Sequence, residues 1–299
     1  MEIVFLGTSE ATPTAEKNQT AIYLKYNAEN ILIDAGENVQ RQMKIAKLNP
    51  CKINRILITH WHGDHILGLP GLLQTLALNN YGQTLKIYGP KGTKKFIDFL
   101  LRAFIFQDKL KVEVYEVSNG LFVNEKDFCI DSREMSHGTP CVAYAFIEKE
   151  KRKINSEKAK KFGLEQSPLL GDIQKGKNIK FKGKIIKPNQ ISEIKKGRKI
   201  SVILDTEINP NCYKIAKDSD LLISEATFSK ELKDKAKERK HLTSEQAGTI
   251  AKKSNVKKLM LLHISQRYNQ REHIILDETK KIFKNSELAK DFQKVHIEN

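Results

Sequence analysis

Apolar positions recur along this chain in two rhythms. Short runs rich in β-branched and aromatic residues occupy 2–7, 21–26, 30–34, 54–59, 85–88, 111–117, 128–135, 141–148, 198–204, 221–224 and 257–262. Runs of this length and composition predict strands. Between them, over 37–47, 71–79, 92–103, 212–217, 230–240, 243–254 and 276–284, apolar residues return every three to four positions and predict helices. The first half is dense in strands and hairpins, and the later half alternates strand with helix. That order predicts an α/β fold in which two sheets pack face to face and helices cover their outer sides, a four-layer αββα sandwich.

One stretch resists this reading. Between Lys149 and Lys199 there are 17 Lys/Arg and 5 Asp/Glu, a net of +12, so the other 248 residues carry only +4 of the chain's +16. Its aromatics are Phe162 and Phe181 alone; positions 156–162 could form a short helix, and Gly171, Gly176 and Gly183 then interrupt the pattern. A long structureless loop inside a compact domain is uncommon. The expectation is therefore a single catalytic domain over 1–299 carrying an inserted arm at 149–197. Such an arm suits a polyanion, because each Lys or Arg that neutralises a phosphate releases counterions. A solvated, lysine-rich insertion would have the same composition, so charge by itself does not decide between them.

Composition narrows the field further. With 39% hydrophobic and 29% charged residues, the chain has material for a core and is not a disordered polymer. No apolar run reaches the ~18 residues that a membrane-spanning helix needs. The opening MEIVFLGTSE lacks the basic and apolar regions of a secretory signal. The four cysteines, Cys51, Cys129, Cys141 and Cys212, lie far apart with no CxxC. That usage argues against a disulfide framework or a thiolate zinc site and suits the reducing cytoplasm.

The chemistry concentrates in Thr59-His60-Trp61-His62-Gly63-Asp64-His65, which follows an apolar strand. On a helix, residues i and i+2 are about 200° apart, so His60 and His62 could not share a metal there; in an extended segment they share a face. Gly63 then allows the chain to fold back and present Asp64 and His65 from another direction. Four candidate ligands in six residues exceed what one tetrahedral ion takes, which suggests two neighbouring metals. His137, Asp205 and His263 each fall just past the carboxyl end of a predicted strand, where open α/β sheets place their binding crevices. Imidazole and carboxylate ligands without thiolate suit zinc, with manganese or iron as competitors.

At these residues the chain resembles the metallo-β-lactamase superfamily, whose HxHxDH motif is met by His60, His62, Asp64 and His65 and whose later ligands match His137, Asp205 and His263. Within it the chain is similar to the tRNase Z family of tRNA 3′-processing endoribonucleases. The similarity is carried by HWHGDHILGLPGLL from His60, by FLGT from Phe5, DAGE from Asp34, YGPKG from Tyr88, EATF from Glu225, HLTSEQA from His241 and HISQRY from His263. The matches span Met1 to Tyr268. Leu204, where glycine is usual before the Asp205 ligand, Ser167 in place of a glycine before Pro168, and Ser9-Glu10 in place of small residues depart from the family pattern, and none removes a ligand.

The resemblance implies one zinc at His60, His62, His137 and Asp205 and a second at Asp64, His65, Asp205 and His263, with Asp205 bridging and Asp64 accepting the proton of the attacking water. It implies that His241, oriented by Glu225, protonates the ribose 3′-oxygen as it leaves, that the basic stretch clamps precursor tRNA as a flexible arm, and that the enzyme is a homodimer. The expected products are a tRNA 3′-OH and a trailer with a 5′-phosphate. Asp34 is expected to steady the ligand loops by hydrogen bonding, and Arg267 either meets a phosphate or pairs with a carboxylate. A generic two-metal phosphodiesterase of the same fold, and a non-catalytic RNA-binding protein, are the competing readings.

Overall fold

The computed structural model describes residues 1–105 and 110–298. The chain opens with the antiparallel strands β1 (Glu2–Gly7), β2 (Ala21–Tyr26) and β3 (Glu29–Ile33). Three parallel additions follow, β4 (Arg55–Leu57), β5 (Leu85–Gly89) and β6 (Val112–Glu116). Parallel neighbours need crossovers, and these contain α1 (Val39–Ile45), α2 (Gly63–Ile66), α3 (Leu69–Leu78) and α4 (Thr93–Ala103). In β1 the alternate residues Val4 and Leu6 join a buried cluster with Val39 and Met43 of α1, Leu72 and Leu76 of α3 and Ile97 of α4. Strand residues of the other parity, such as Ile3 and Phe5, are equally buried and so lie on the opposite face of the sheet.

That face meets a second sheet. Its strands begin with β7 (Gly120–Asn124), β8 (Phe128–Ser136) and β9 (Pro140–Glu148). Tyr144 of β9, the largest fully buried side chain, donates its hydroxyl to the Ile58 carbonyl at 2.7 Å, and the Val142 N–H donates to Thr59 O at 2.9 Å. Phe122 of β7 sits between Tyr88 and Tyr144, with ring centroids 5.1 and 5.8 Å away. The aromatic layer thus joins the two sheets immediately behind the histidine-rich turn.

Residues 147–198, with 124–129, form a second compact unit. It contains β10 (Lys151–Ile154), α5 (Ser156–Lys161), α6 (Leu170–Gln174), the hairpin β11 (Ile179–Phe181) and β12 (Lys184–Ile186), then α7 (Pro188–Ile191) and β13 (Ser192–Lys195), which pairs antiparallel with β10. Ala159, Leu164, Ile173, Ile179, Ile186 and Ile191 make its own buried cluster. The hairpin turns at Lys182 (φ 49°) and Gly183 (φ 75°), the two left-handed central residues of a tight hairpin loop. The unit's limits run a little outside the expected 149–197, and the segment is built from regular elements around a core.

The second sheet then continues with β14 (Lys199–Ile203), β15 (Leu221–Glu225), β16 (Lys258–Leu262) and β17 (Ser286–Leu288), all parallel. Finally β18 (Lys294–His296) returns to pair with β1. Among the described residues each main sheet therefore has seven strands, ordered β18-β1-β2-β3-β4-β5-β6 and β17-β16-β15-β14-β9-β8-β7. The later connections hold α8 (Pro210–Ala216), α9 (Lys233–Arg239), α10 (Ser244–Lys253) and α11 (His273–Ile282). Ser201 of β14 donates to the Ile215 carbonyl of α8 at 2.7 Å. Gly248 lets α10 approach α11, because a Cβ there would stand 3.2 Å from Thr279 O. The predicted helix over 230–240 is divided into a 3₁₀ turn at Lys230–Leu232 and α9. Three strands of the main sheets outside the predicted set, β7, β17 and β18, all occupy sheet edges; β17 and β18 have three residues each, too few to carry a pattern, whereas β7 holds the apolar run Leu121-Phe122-Val123. No helix among the described residues is long and apolar enough to cross a membrane.

Candidate metal centre

Strand ends build the site. Beyond β4 the chain stays extended to His62 (φ −72°, ψ 150°), so His60 and His62 share a face with ring centroids 4.7 Å apart. The single helical turn α2 then swings Asp64 and His65 round beneath them. Gly63 needs no left-handed backbone for this: its φ is not positive, and the reversal comes from the helical turn itself. His137 follows the last residue of β8, Asp205 lies just past β14, Glu225 ends β15 and His263 follows β16. Asp34 and His263, just past β3 and β16, both adopt the left-handed region with φ of 55° and 54°. That conformation is costly for residues other than glycine and clusters at functional sites. Backbone hydrogen bonds hold it here, from Asp34 N to Leu57 O and from His263 N to Thr8 O, each 2.9 Å.

Four rings are tethered on the side away from the centre. The Nδ1 of His65 faces Asp34 Oδ2 at 2.7 Å, that of His137 faces the Lys240 carbonyl at 2.9 Å, that of His60 faces Thr59 Oγ1 at 3.1 Å, and that of His263 faces Thr227 Oγ1 at 3.2 Å. Asp34 also accepts the Thr59 N–H and hydroxyl, both at 2.7 Å, so it locks two ligand segments at once, as the sequence suggested. With Nδ1 committed to a donor role, each Nε2 presents a lone pair inward. Those four Nε2 atoms converge on Asp205, at 3.6 Å for His60, 3.5 Å for His65, 3.4 Å for His137 and 3.2 Å for His263. His62 contributes Nδ1, which lies 3.1 Å from His60 Nε2 and 3.2 Å from His137 Nε2.

The result is two ligand sets with one shared carboxylate. Atoms of His60, His62, His137 and Asp205 lie within 4.8 Å of one another, and so do atoms of Asp64, His65, Asp205 and His263. The electrostatics suit cations. Burial, then the neighbouring His65, hold His60 well below its ordinary pKa, in the neutral form that ligates. Burial would raise Asp205, yet His263 and His65 hold it well below the carboxylate range. Asp64 behaves alike: burial opposes its charge, but the neighbouring His263 and His65 keep it ionised. Two buried polar atoms here, His65 Nε2 and Asp205 Oδ1, have no hydrogen-bond partner among the described residues. An unpaired buried lone pair is costly, and His62 Nδ1, facing His60 Nε2 at 3.1 Å and His137 Nε2 at 3.2 Å, cannot serve both with a single proton. A metal ion answers both, so the residues present fit the group that the fold calls for.

Beside the ligands stands a second chemical unit. His241 Nδ1 lies 3.1 and 3.2 Å from the two oxygens of the fully buried Glu225. Burial alone would lower the pKa of His241, but the Glu225 charge and hydrogen bond push it up to about 9. Glu225 is itself fixed by the Thr206 N–H at 2.7 Å and the Thr227 hydroxyl at 2.6 Å. Two residues after His241, Thr243 caps α10 in a capping box with Gln246. Thr227 sits against Glu225, His241 and His263 together. Sequence reasoning gave it no role, although it lies in the EATF motif.

All of this opens into a cavity of about 750 Å³ lined by His62, Asp64, His137, Asp205, His241 and His263. Glu10, Lys235, Arg239 and Arg267 also line it, and only Arg267 among these four carries a sequence expectation. Trp61 turns away from the ligands, its Nε1 donating to Thr93 Oγ1 at 2.9 Å and its ring 4.9 Å from Phe96. Leu204, in the usual glycine position, is buried.

Comparison with known proteins identifies relatives over nearly the whole chain. The family model of the anti-Pycsar protein Apyc1 matches residues 1–113. The chain is 36% identical over 298 residues to ribonuclease Z of Methanothermobacter thermautotrophicus, covering 99% of this chain and 97% of the relative. It is 41% identical over 283 residues to ribonuclease Z of Methanocaldococcus jannaschii, covering 92% and 89%. The crystal structure of the short form of human tRNase Z superposes with a TM-score of 0.72 at 28% identity, covering all of both chains.

Proposed function

This chain belongs to the ribonuclease Z family, and from that premise we infer that it is a tRNA 3′-processing endoribonuclease using two zinc ions. His60, His62, His137 and Asp205 would hold one ion, and Asp64, His65, Asp205 and His263 the other. When bound, such a pair supplies an activated water near neutral pH and neutralises charge developing on the phosphate.

The chain's own residues supply the rest. Asp64, kept ionised by His263 and His65, accepts a proton from the attacking water. His241, charged through Glu225, gives its proton to the ribose 3′-oxygen as the P–O bond breaks. Glu225 orients the ring and stabilises its charged form without touching the substrate. The products are then a tRNA ending in a 3′-OH and a trailer ending in a 5′-phosphate, with no demand on a ribose 2′-OH.

Substrate choice rests on tRNA shape read through the backbone. The lysine-rich unit over residues 147–198 is the part suited to that task, acting as the tRNA-binding arm. The enzyme acts as a homodimer; the exposed Phe96 and Phe99 of α4 give it an apolar surface for a second copy. Its cysteines form no disulfide among the described residues, which suits the cytoplasm.

The observation that carries the reading is the juxtaposition of two ligand sets with a Glu225-bound His241 in one cavity. Incubating the protein with a 3′-extended tRNA, with and without chelator, tests it. A chelator-sensitive cut at the tRNA 3′ end leaving a 3′-OH is expected. Cleavage of a small phosphodiester alone would favour the generic hydrolase instead.

A further inference from the structure

Three cations and one carboxylate line the catalytic cavity without belonging to either ligand set or to the His241 pair: Lys235, Arg239, Arg267 and Glu10. Lys235 and Arg239 stand four residues apart on α9 and so present to one side of the helix. Arg267 is preset. Its guanidinium carbon lies 5.3 Å above the Phe228 ring and its Nε donates to Ser265 Oγ at 3.1 Å. Among the described residues no carboxylate pairs with Arg267 or Lys235. An arginine held by stacking and by its Nε, with its outer nitrogens not spent on an acid, is built for a planar, two-pronged contact to phosphate.

Glu10 explains how the arginine is held. Its Oε1 accepts the Gln266 N–H at 3.1 Å and the Ser265 hydroxyl at 3.4 Å. A bare carboxylate on this wall would repel a phosphate chain, but here it is turned into the 265–266 turn, where it braces the segment carrying Arg267. Glu10 is thus a positioning residue.

We propose that Arg267, supported by Lys235 and Arg239, binds a phosphodiester flanking the scissile one in the single-stranded end of the substrate RNA. This deepens the endoribonuclease reading and rests on it. The flanking phosphate could belong to the trailer or to the tRNA 3′ end, and the two products of cleavage separate these sources because neither can be cut again.

The test measures binding of the metal-loaded full chain to a 5′-phosphorylated tetrauridylate, standing for the trailer, and to mature tRNA with a free 3′-OH. Arg267→Ala should weaken one of them by about tenfold or more, the scale of a lost charge-assisted hydrogen bond. It should also reduce the salt slope for that strand by about 0.7, one phosphate's share. Arg267→Lys should recover only part of the loss, and Lys235→Ala and Arg239→Ala should each cost less. Adding Glu10→Ala to Arg267→Ala should change little, since Glu10 acts through the arginine. Unchanged affinity for both strands in Arg267→Ala would overturn the proposal, and additive losses in the double variant would remove Glu10 from it. Failure of the parent protein to cut 3′-extended tRNA would sink the enzymatic reading, whereas Arg267-dependent strand binding would survive that failure.

Discussion

At the sheet rim, imidazoles and carboxylates are gathered into the interior and four rings are tethered through Nδ1 by a second protein group. Residues 147–198 do the opposite: six small aliphatic residues form a core, and the lysines around it face solvent. Exposed pairs such as Lys158–Glu193 at 3.3 Å and Lys160–Glu165 at 3.5 Å are the kind that contributes little. The buried set is indivisible, because removing one member leaves others unpaired in a low dielectric. The basic unit is divisible, because its charge is spread over many screened positions. Single substitutions should therefore be severe at the rim and mild in the basic unit.

The largest effect is expected inside the shared carboxylate. Asp205→Ala should abolish turnover and lower the content of both metals, since Asp205 lies in both ligand sets. His62→Ala should also abolish turnover yet deplete only one ion, as His62 belongs to one set. Metal stoichiometry by mass spectrometry separates the two outcomes. Equal loss from both variants would mean that the ions bind as one unit. His241→Ala comes next: cleavage should slow by about 10²–10⁴-fold, the usual scale for a general acid, with both metals retained. Loss of metal there would make His241 a ligand, which the third cluster of Glu225, His241 and His263 makes a sharp test.

Legibility along the chain follows the same division. The candidate ligand turn was legible because six adjacent residues carry four of the side chains that gather at the rim, and because His137, Asp205 and His263 each sit where a strand stops. The second side chain behind each ligand was harder. Asp34 was found through its turn, whereas Thr59 and Thr227 are ordinary threonines until the fold brings them to a ring nitrogen. The hairpin within IKFKGKII from Ile179 was hidden for another reason. Ile179-Lys180-Phe181 alternates, but each strand has only three residues, too short a run to stand out, and Lys182 takes a left-handed turn position that favours Asn or Gly. Gly63 shows the converse, since a glycine expected to bend the chain sits in an ordinary helical turn.

Removing the basic unit sharpens the contrast. Its two ends are adjacent, with the Glu148 N–H donating to Arg198 O at 2.8 Å, so residues 149–196 can be replaced by a short glycine link. The shortened protein should bind precursor tRNA about 10²–10³-fold more weakly at low salt and lose most of its salt dependence. Its turnover of a small phosphodiester should persist. If substitution of any single lysine matched the deletion, recognition would be concentrated at one point and the distributed picture would fail.

The smallest effect, and the finest test, is at Asp34. One of its oxygens accepts the Thr59 N–H, and the other accepts both the Thr59 hydroxyl and His65 Nδ1. An asparagine has nearly the same shape but only one acceptor oxygen. If that oxygen faces His65, the amide NH₂ confronts the Thr59 N–H, two donors head to head. If it faces the Thr59 N–H, the NH₂ confronts His65 Nδ1, and the ring must move its proton to Nε2, the atom aimed at Asp205. Either choice spoils one ligand segment without removing a ligand. Asp34→Asn should therefore weaken metal binding by about 10–100-fold, the range for an outer partner of a ligating histidine. The ion on the His65 side should leave first in a chelator titration, while the His60, His62 and His137 side follows later. Unaltered affinity at both positions would mean that the rim tolerates a missing acceptor, and that burial alone, without the tethers, orients these rings.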